Sequence, residues 1–269
     1  MSAIERRASG RPEDERTGPL ASGTLRAAAR THRGTVRPDN QDAFLCRPDL
    51  GLFAVIDGMG GQLGGRHAAE LARAALLEAG EPARGLAAAN ALIREQAETS
   101  VEFFGMGCVA SAVRIADGVA RIAHVGDTRV YMAGDAGCEQ LTRDHTVAAS
   151  EQERLGLSHM RAGDLPGRNQ VTRDLGGRHR EGEAWIDRLE VTLEQDALLL
   201  LCSDGLPTAV GADELIQRLR ASRRDGSAPV ELADALIARA LERGARDNVT
   251  AVVVRHEGDV PAVDRRRHS

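Results

Sequence analysis

Five aspartates are the residues of this 269-residue chain best placed to do chemistry. Each lies where an apolar run ends or in a short polar loop, and the five are Asp42, Asp57, Asp127, Asp204 and Asp247. Carboxylates that converge without basic partners repel one another, and hard divalent cations with oxygen ligands relieve that repulsion. The pattern therefore favours Mg²⁺ or Mn²⁺ over zinc, and the four cysteines also argue against zinc because none are in CxxC spacing.

Each aspartate also has an ordinary structural interpretation. Asp-Gly pairs such as Asp57-Gly58 and Asp204-Gly205 are common in turns, and Asp127 would suit the cap of a turn. The stretch Gly58-Met-Gly-Gly61 is not a phosphate-binding P-loop, because no Gly-Lys-Ser/Thr follows it. Taken singly, no position decides between the structural and the chemical interpretation.

Composition excludes several classes of function. The chain has no lysine, so Schiff-base, P-loop and kinase lysines are ruled out. A net charge of -5 and only 2% aromatic residues argue against a nucleic-acid partner. No apolar run reaches the roughly 18 residues of a membrane span, and the N-terminus lacks the apolar core of a signal peptide. We therefore expect a cytoplasmic protein with reduced cysteines and no membrane partner.

Apolar periodicity predicts one domain, over residues 23–256, between a disordered segment 1–22 and a flexible tail 257–269. Strands are predicted at 24–30, 43–47, 51–56, 109–115, 119–125, 129–132, 184–193, 197–202 and 249–255. Helices are predicted at 66–80, 87–104, 146–155 and 228–243. In the second helix a stripe of Ile93, Ala97, Val101 and Phe104 is expected to be buried. The result is an α+β fold of two packed antiparallel sheets flanked by helices.

Eight motifs, in order along residues 24–255, resemble those of the metal-dependent type 2C protein phosphatases (PPM family) in their bacterial form. They are Gly34-Thr-Val-Arg37-Pro-Asp-Asn40-Gln-Asp42, Val55-Ile-Asp57-Gly-Met-Gly-Gly61, Gly105-Met-Gly107, His124-Val-Gly-Asp127-Thr-Arg129-Val-Tyr131, Leu141-Thr-Arg-Asp144-His145, Arg168-Asn-Gln-Val-Thr-Arg173, Leu200-Leu-Cys-Ser-Asp204-Gly-Leu206 and Arg246-Asp247-Asn248-Val-Thr250.

The resemblance implies a four-layer αββα sandwich with a centre of two or three Mn²⁺ or Mg²⁺ ions at one end of the sheets. By position, Asp57 resembles the carboxylate that bridges two metals, and the Gly58 carbonyl resembles a ligand of one of them. Asp204 and Asp247 resemble ligands of the other metal.

Three further roles follow from the same resemblance. Asp42 corresponds to a residue that binds metal-bound waters, and Asp127 with Asp204 corresponds to the site of a third metal. Arg37 corresponds to the arginine that grips the substrate phosphate. The implied reaction is direct hydrolysis of phosphoserine and phosphothreonine by a hydroxide that bridges two metals, with no phosphoenzyme.

The expected substrates are phosphorylated proteins of a bacterial Ser/Thr kinase, and the expected form is a monomer. The alternative is a pseudophosphatase that binds phosphoproteins as a regulatory module; the presence of all five acids and Arg37 argues against it. The proton donor to the leaving group stays open. Met59 replaces the histidine usual in eukaryotic members, and His67 and His145 are candidates for which a structural role is the alternative. Residues 146–180 correspond to the family's flap, where Arg168 and Arg173 are candidates for phosphoprotein binding or for salt bridges.

Overall fold

A computed structural model describes residues 15–156, 166–167, 169–177 and 182–258. Within these ranges eleven strands form two antiparallel sheets, which we call sheet A and sheet B. Sheet A has the order β1-β2-β11-β10-β7-β8, formed by Leu20–Ser22, Leu25–His32, Val249–His256, Ala197–Cys202, Arg129–Gly134 and Gly137–Gln140. Sheet B has the order β3-β4-β5-β6-β9, formed by Ala43–Arg47, Leu52–Met59, Gly107–Ala116, Val119–Val125 and Asp187–Thr192.

Six helices lie outside the sheets in the described ranges: α1 (Gly61–Ala79), α2 (Pro82–Thr99), α3 (Val147–Leu155), α4 (Gly205–Val210), α5 (Ala212–Asp225) and α6 (Pro229–Glu242). Helix α1 ends at Gly80, whose φ of 65° lets its N–H bond the Leu76 carbonyl. Helix α2 starts on the Glu81 side chain, which accepts the Arg84 N–H, and on Pro82, whose missing N–H costs nothing in a first turn.

Three separate groups of buried apolar side chains define the layers. One lies between α1, α2 and sheet B and includes Leu76, Leu86 and Ile93. The second joins the two sheets, and the third lies between sheet A and helices α4 to α6. Helix, sheet, sheet and helix layers therefore alternate, and the predicted α+β fold with four αββα layers is confirmed.

The predicted apolar stripe of the second helix is wrong at its C-terminal end. Helix α2 stops at Thr99 because Ser100 is extended, and a short 3₁₀ turn follows. Ile93 is buried as expected, but Val101 and Phe104 are 97% and 72% exposed.

Strand β8 and helices α4 and α5 were not predicted. In α5 the helical period is carried by only two fully buried leucines, Leu215 and Leu219, among many charged residues. Asp204-Gly205, for which a turn was one interpretation, instead leads directly into α4. In α5 the buried positions are too few to show a helical period, and α4, with six residues, is too short to show one.

Ordered chain begins inside the segment predicted to be disordered. Strand β1 (Leu20–Ser22) pairs with β2, and Thr17 exchanges hydrogen bonds with Ala29 at 3.0 and 3.1 Å. Further back, the Glu15 carbonyl accepts the Thr31 N–H at 3.0 Å. These backbone bonds extend sheet A by an edge segment that polar composition alone did not reveal. Residues 1–14 of that segment and 259–269 of the predicted tail lie outside the described residues.

Candidate metal centre

The register of the two sheets brings the five predicted aspartates to one end of the sandwich. In sheet B, Ala43 pairs with Ile56, which sets Asp42 beside Asp57, and Asp57 itself pairs with Val109. In sheet A, Cys202 pairs with Ala251 on one side and with Arg129 on the other. The same edge of sheet A therefore carries Asp127, Asp204 and Asp247, each just beyond a strand end.

Asp42 is buried and held by side-chain hydroxyls. Ser203 and Thr250 donate to its Oδ2 at 2.7 and 2.6 Å. Asn40 Oδ1 accepts the Asp42 N–H at 3.1 Å. The other carboxylate oxygen, Oδ1, is buried without a hydrogen-bond partner among the described residues. A buried carboxylate oxygen left this way is suited to a water or cation ligand.

Asp57 lies near the C-terminal end of strand β4, directly after its apolar run, and Gly58 follows in tightly packed backbone of the same strand. A Cβ added at Gly58 would lie 2.1 Å from the Gly65 carbonyl oxygen and 2.8 Å from that of Gln41. Only glycine fits there, because any larger residue would collide with backbone atoms. The close packing fixes the peptide that follows the Asp57 carboxylate.

Asp127 lies in the turn between β6 and β7, which is clamped from one side by His145. The His145 N–H donates to the Gly126 carbonyl at 2.7 Å, and the Gly126 N–H donates to His145 Nδ1 at 3.1 Å. His145 Nε2 then donates to Asp187 Oδ2 at 3.0 Å. A second imidazole, that of His124, lies 4.8 Å from the His145 ring centroid. We call the set Gly126, Asp127, His124, His145 and Asp187 the turn clamp.

Asp204 and Asp247 face the mouth of the site, where Arg37 also lies. Arg37 Nη2 donates to Asp247 Oδ2 at 2.8 Å, and the Arg37 side chain is 56% exposed. The pKa of Arg37 is raised, chiefly by its hydrogen bond to Asp247, and Asp57 and Asp204 also raise it. The guanidinium is thus charged and accessible beside the acids.

Burial and mutual repulsion raise the pKa of four of the carboxyls. Desolvation is the main cause for each, and it brings the pKa of Asp42 and Asp127 to about 7 and that of Asp204 to about 6. The pKa of Asp57 is raised well above its ordinary value by desolvation and then by the charges of Asp42 and Asp204. Each of these carboxyls makes a negative charge on its neighbours less favourable. A cation between them would relieve that repulsion, so the cluster favours cation binding.

These donors fit hard divalent cations. Carboxylate and carbonyl oxygens make up the set, as Mg²⁺ and Mn²⁺ prefer, and the lone Asp42 Oδ1 and the Gly58 peptide are ready to take part. In the described part of the chain, no three acidic, histidine or cysteine side chains enclose one point tightly. Asp127 and Asp204 border an open space, whereas Asp42 Oδ1 is buried, so the room for water and substrate lies on the side of Asp127 and Asp204.

A groove of about 1140 Å³ opens from this space along the outside of sheet A. It starts at Asp127 and Asp204 and runs past Arg129, Asp144 and the first turns of α3 and α5. Arg129 and Asp144 are ion-paired at 2.7 Å in its wall. Of the five acids, Asp127 and Asp204 line this groove in the described part of the chain, and it therefore adjoins one side of the candidate site.

The hydrogen-bonding residues around the acids were missed from the sequence as functional residues. Asn248 is one example: its Oδ1 accepts the Gln41 N–H, and its Nδ2 donates to the carbonyls of Arg33 and Asp39, all at 2.8 or 2.9 Å. It fixes the loop that carries Arg37. Its signal in the sequence is the alternation of Asn248 and Thr250 with the buried apolar residues Val249 and Ala251 where β11 begins.

Of the two candidate proton donors, each has structural partners. His67 bonds Gln96 and stacks on Phe103 at 4.3 Å, and His145 belongs to the turn clamp. In the predicted flap, Arg173 donates to Asp187 at 2.6 Å, whereas Arg168 lies outside the described residues.

In the described ranges, no helix is long and apolar enough to cross a bilayer.

Comparison with known proteins agrees with the fold and the geometry. The sequence model of the family described as Protein phosphatase 2C matches residues 30–249. The chain is 31% identical over 250 residues to the serine/threonine phosphatase stp of Listeria monocytogenes, covering 87% of this chain and 96% of that protein. It is 33% identical over 239 residues to the serine/threonine protein phosphatase PstP of Mycobacterium tuberculosis, covering 85% of this chain but only 44% of PstP.

Among solved structures, the catalytic domain of PstP in complex with two manganese ions superposes with a TM-score of 0.73 at 31% identity, covering 86% of this chain and 97% of that domain. The chain thus spans less than half of full-length PstP and nearly all of its catalytic domain. With most of its length matched by the family model and by relatives above 30% identity, the chain belongs to the protein phosphatase 2C family.

Proposed function

We propose that this protein is a metal-dependent phosphatase that hydrolyses phosphoserine and phosphothreonine in proteins. The carrying observation is the convergence of five aspartates, from five separate segments, beside one exposed arginine. The relatives named serine/threonine phosphatases and the two manganese ions of the PstP catalytic domain support the proposal.

Asp57, Gly58, Asp204 and Asp247 would hold two Mn²⁺ or Mg²⁺ ions, Asp42 would hold their waters, and Asp127 with Asp204 would hold a third ion. Bound there, the cations supply positive charge and lower the pKa of a coordinated water toward neutrality. Arg37 is suited to donate two hydrogen bonds from its planar guanidinium to phosphate oxygens and to neutralise the charge that develops on them. Its pairing with Asp247 keeps the guanidinium at the mouth, where an incoming phosphate competes for it.

The chain offers no convincing covalent nucleophile among its cysteines. Burial raises the pKa of the Cys46 and Cys202 thiols to about 12, and it raises that of the partly buried Cys138 to about 11. Thiolates are therefore scarce at neutral pH. Direct attack by water on the phosphorus agrees with this residue set.

The test is hydrolysis of p-nitrophenyl phosphate and of a phosphothreonine peptide by the purified chain, with and without Mn²⁺ or Mg²⁺. We expect turnover only with metal, and its loss on Asp57→Ala or Asp204→Ala. Turnover without metal, or activity that survives these changes, would contradict the proposal. Metal binding without any turnover would favour the alternative, a pseudophosphatase that binds phosphoproteins.

We further propose that the substrates are the phosphoproteins of a bacterial Ser/Thr kinase, and that the protein works in signal transduction as a cytoplasmic monomer. The free cysteines, three of them buried, suit a reducing compartment. Light scattering of the purified chain would test the monomer, and phosphoproteomics of a deletion strain would test the substrates.

A further inference from the structure

A continuous chain of buried hydrogen bonds reaches Asp42 from strand β2. Asn40 Nδ2 donates to Thr31 Oγ1 at 2.8 Å, and the hydroxyl oxygens of Thr31 and Thr250 lie 2.6 Å apart. Thr250 donates to Asp42 Oδ2 at 2.6 Å. Thr31 therefore connects to Asp42 through one intermediate side chain.

The direction of these bonds is fixed by the number of hydrogens available. A threonine hydroxyl has one hydrogen, and that of Thr250 is used on Asp42. The hydrogen between the two threonines must then come from Thr31, whose oxygen in turn accepts from Asn40. All three bonds run the same way and end on a carboxylate, an arrangement in which each bond strengthens the next.

Burial makes the arrangement rigid. Thr31 is 6% exposed and Thr250 is fully buried, so water does not compete for their hydroxyls. The Asp42 Oδ2 receives two donors, from Thr250 and Ser203, while Oδ1 has no hydrogen-bond partner among the described residues. Rotation of the carboxylate is thereby blocked, and Oδ1 is the oxygen left for the centre.

We propose that Thr31 is a positioning residue for the phosphatase reaction, which sets the orientation of the Asp42 carboxylate by way of Thr250. This proposal rests on the proposed function for its kinetic part. Thr31 lies in β2 and is not one of the acids. It acts on Asp42 indirectly, through its hydrogen bond to Thr250. Partners of this kind are typically worth about 10- to 100-fold in metal affinity or activity when they touch a ligand directly.

The experiment compares Thr31→Val with wild type in the full chain, by calorimetric titration with Mn²⁺ and by kcat and KM on a phosphothreonine peptide. We expect Mn²⁺ affinity and kcat to fall by about fivefold, below that range because Asp42 would hold metal-bound waters and Thr31 reaches it through Thr250, with KM for the peptide unchanged. Thr31→Ser keeps the hydroxyl and should restore both to within about twofold.

Thr17→Val is the matched control. The Thr17 hydroxyl accepts the Ala29 N–H of the same strand β2, but it has no connection to Asp42. It should cost stability without changing Mn²⁺ affinity. Thr31→Ala removes the same hydroxyl from a smaller side chain and serves where valine prevents folding.

A second background separates positioning from general destabilisation. In the Asp42→Ala background, adding Thr31→Val should not change Mn²⁺ affinity further, because the carboxylate that Thr31 positions is already absent. An equal loss of affinity in both backgrounds, or an unchanged affinity in Thr31→Val alone, would overturn the proposal. Since the titration needs no turnover, a wild type that binds Mn²⁺ without hydrolysis would defeat the proposed function while leaving this comparison valid.

Discussion

The two sides of the candidate metal centre are supported by different means. On one side Asp42 is held through its own carboxylate, by hydroxyls of residues in or next to central strands of sheet A. On the other side Asp127 is held through the backbone of its neighbour Gly126, which His145 clamps from a loop. The fold therefore uses hydrogen bonds to the side chain to orient the Asp42 carboxylate, and hydrogen bonds to the backbone to place Asp127.

The turn clamp depends on close packing beneath Gly126, and Gly126→Ala should show the largest effect. A Cβ there would lie 2.1 Å from Val109 Cβ, and the φ of 103° is unfavourable for alanine. We expect the free energy of unfolding in urea to fall by about 4 kcal/mol.

Gly105→Ala is the control for backbone strain, because Gly105 has a φ of 75° but nothing within 4 Å of an added Cβ. It should cost only about 1 kcal/mol. Equal losses in the two variants would show that packing against Val109 does not hold the turn.

Acid should weaken the turn clamp through His124, which is fully buried. Burial, with a smaller contribution from His145, lowers its pKa from 6.5 to about 4. Between these values the unfolded chain takes up a proton that the folded chain refuses, so stability falls as the pH falls. From pH 7 to pH 5 the wild type should lose about 2 kcal/mol more than His124→Gln.

Urea unfolding of both proteins at the two pH values measures this difference, and the titrating aspartates cancel because both proteins carry them. A parallel pH dependence of the two proteins would mean that His124 is protonated in the fold, against its burial between Ser111 and the Arg143 carbonyl.

The smallest effect is expected at the outer end of the turn clamp, where Arg173 meets Asp187. Their side chains are 41% and 45% exposed, so solvent screens the pair. Arg173→Gln should therefore lower the free energy of unfolding by less than about 1 kcal/mol, with most of that loss removed in high salt. A loss as large as that of Gly126→Ala would instead make this ion pair the main support of the turn.

Much of the fold and most of the acids could be predicted because their signals are local. The apolar run at residues 52–56 is followed directly by Asp57, and the run Ala197–Cys202 ends just before Ser203 and Asp204. One short window of sequence therefore shows both strand and acid. Helix α5 was not predicted because its buried face has only two fully buried leucines, Leu215 and Leu219.

The hydrogen-bond partners of Asp42 could not be predicted for a different reason. Its hydroxyl partners Ser203 and Thr250 lie 161 and 208 residues away, and Thr31 lies 219 residues from Thr250. Serine and threonine are common on strands, and nothing local tells which of them meet. Pairings of this range are created by sheet register and become visible only with the fold.

The pairing of β2 has a practical consequence for attaching the protein to a label or a surface. At one end of β2, Thr31 bonds Glu15 next to the hydroxyls that hold Asp42; at the other end, the Glu257 N–H bonds the Thr24 carbonyl. A tether joined after residue 257 leaves the sandwich at the end opposite the aspartates. A tether joined before residue 15 leaves beside the supports of the metal centre, so for immobilised assays the C-terminal side is the better handle.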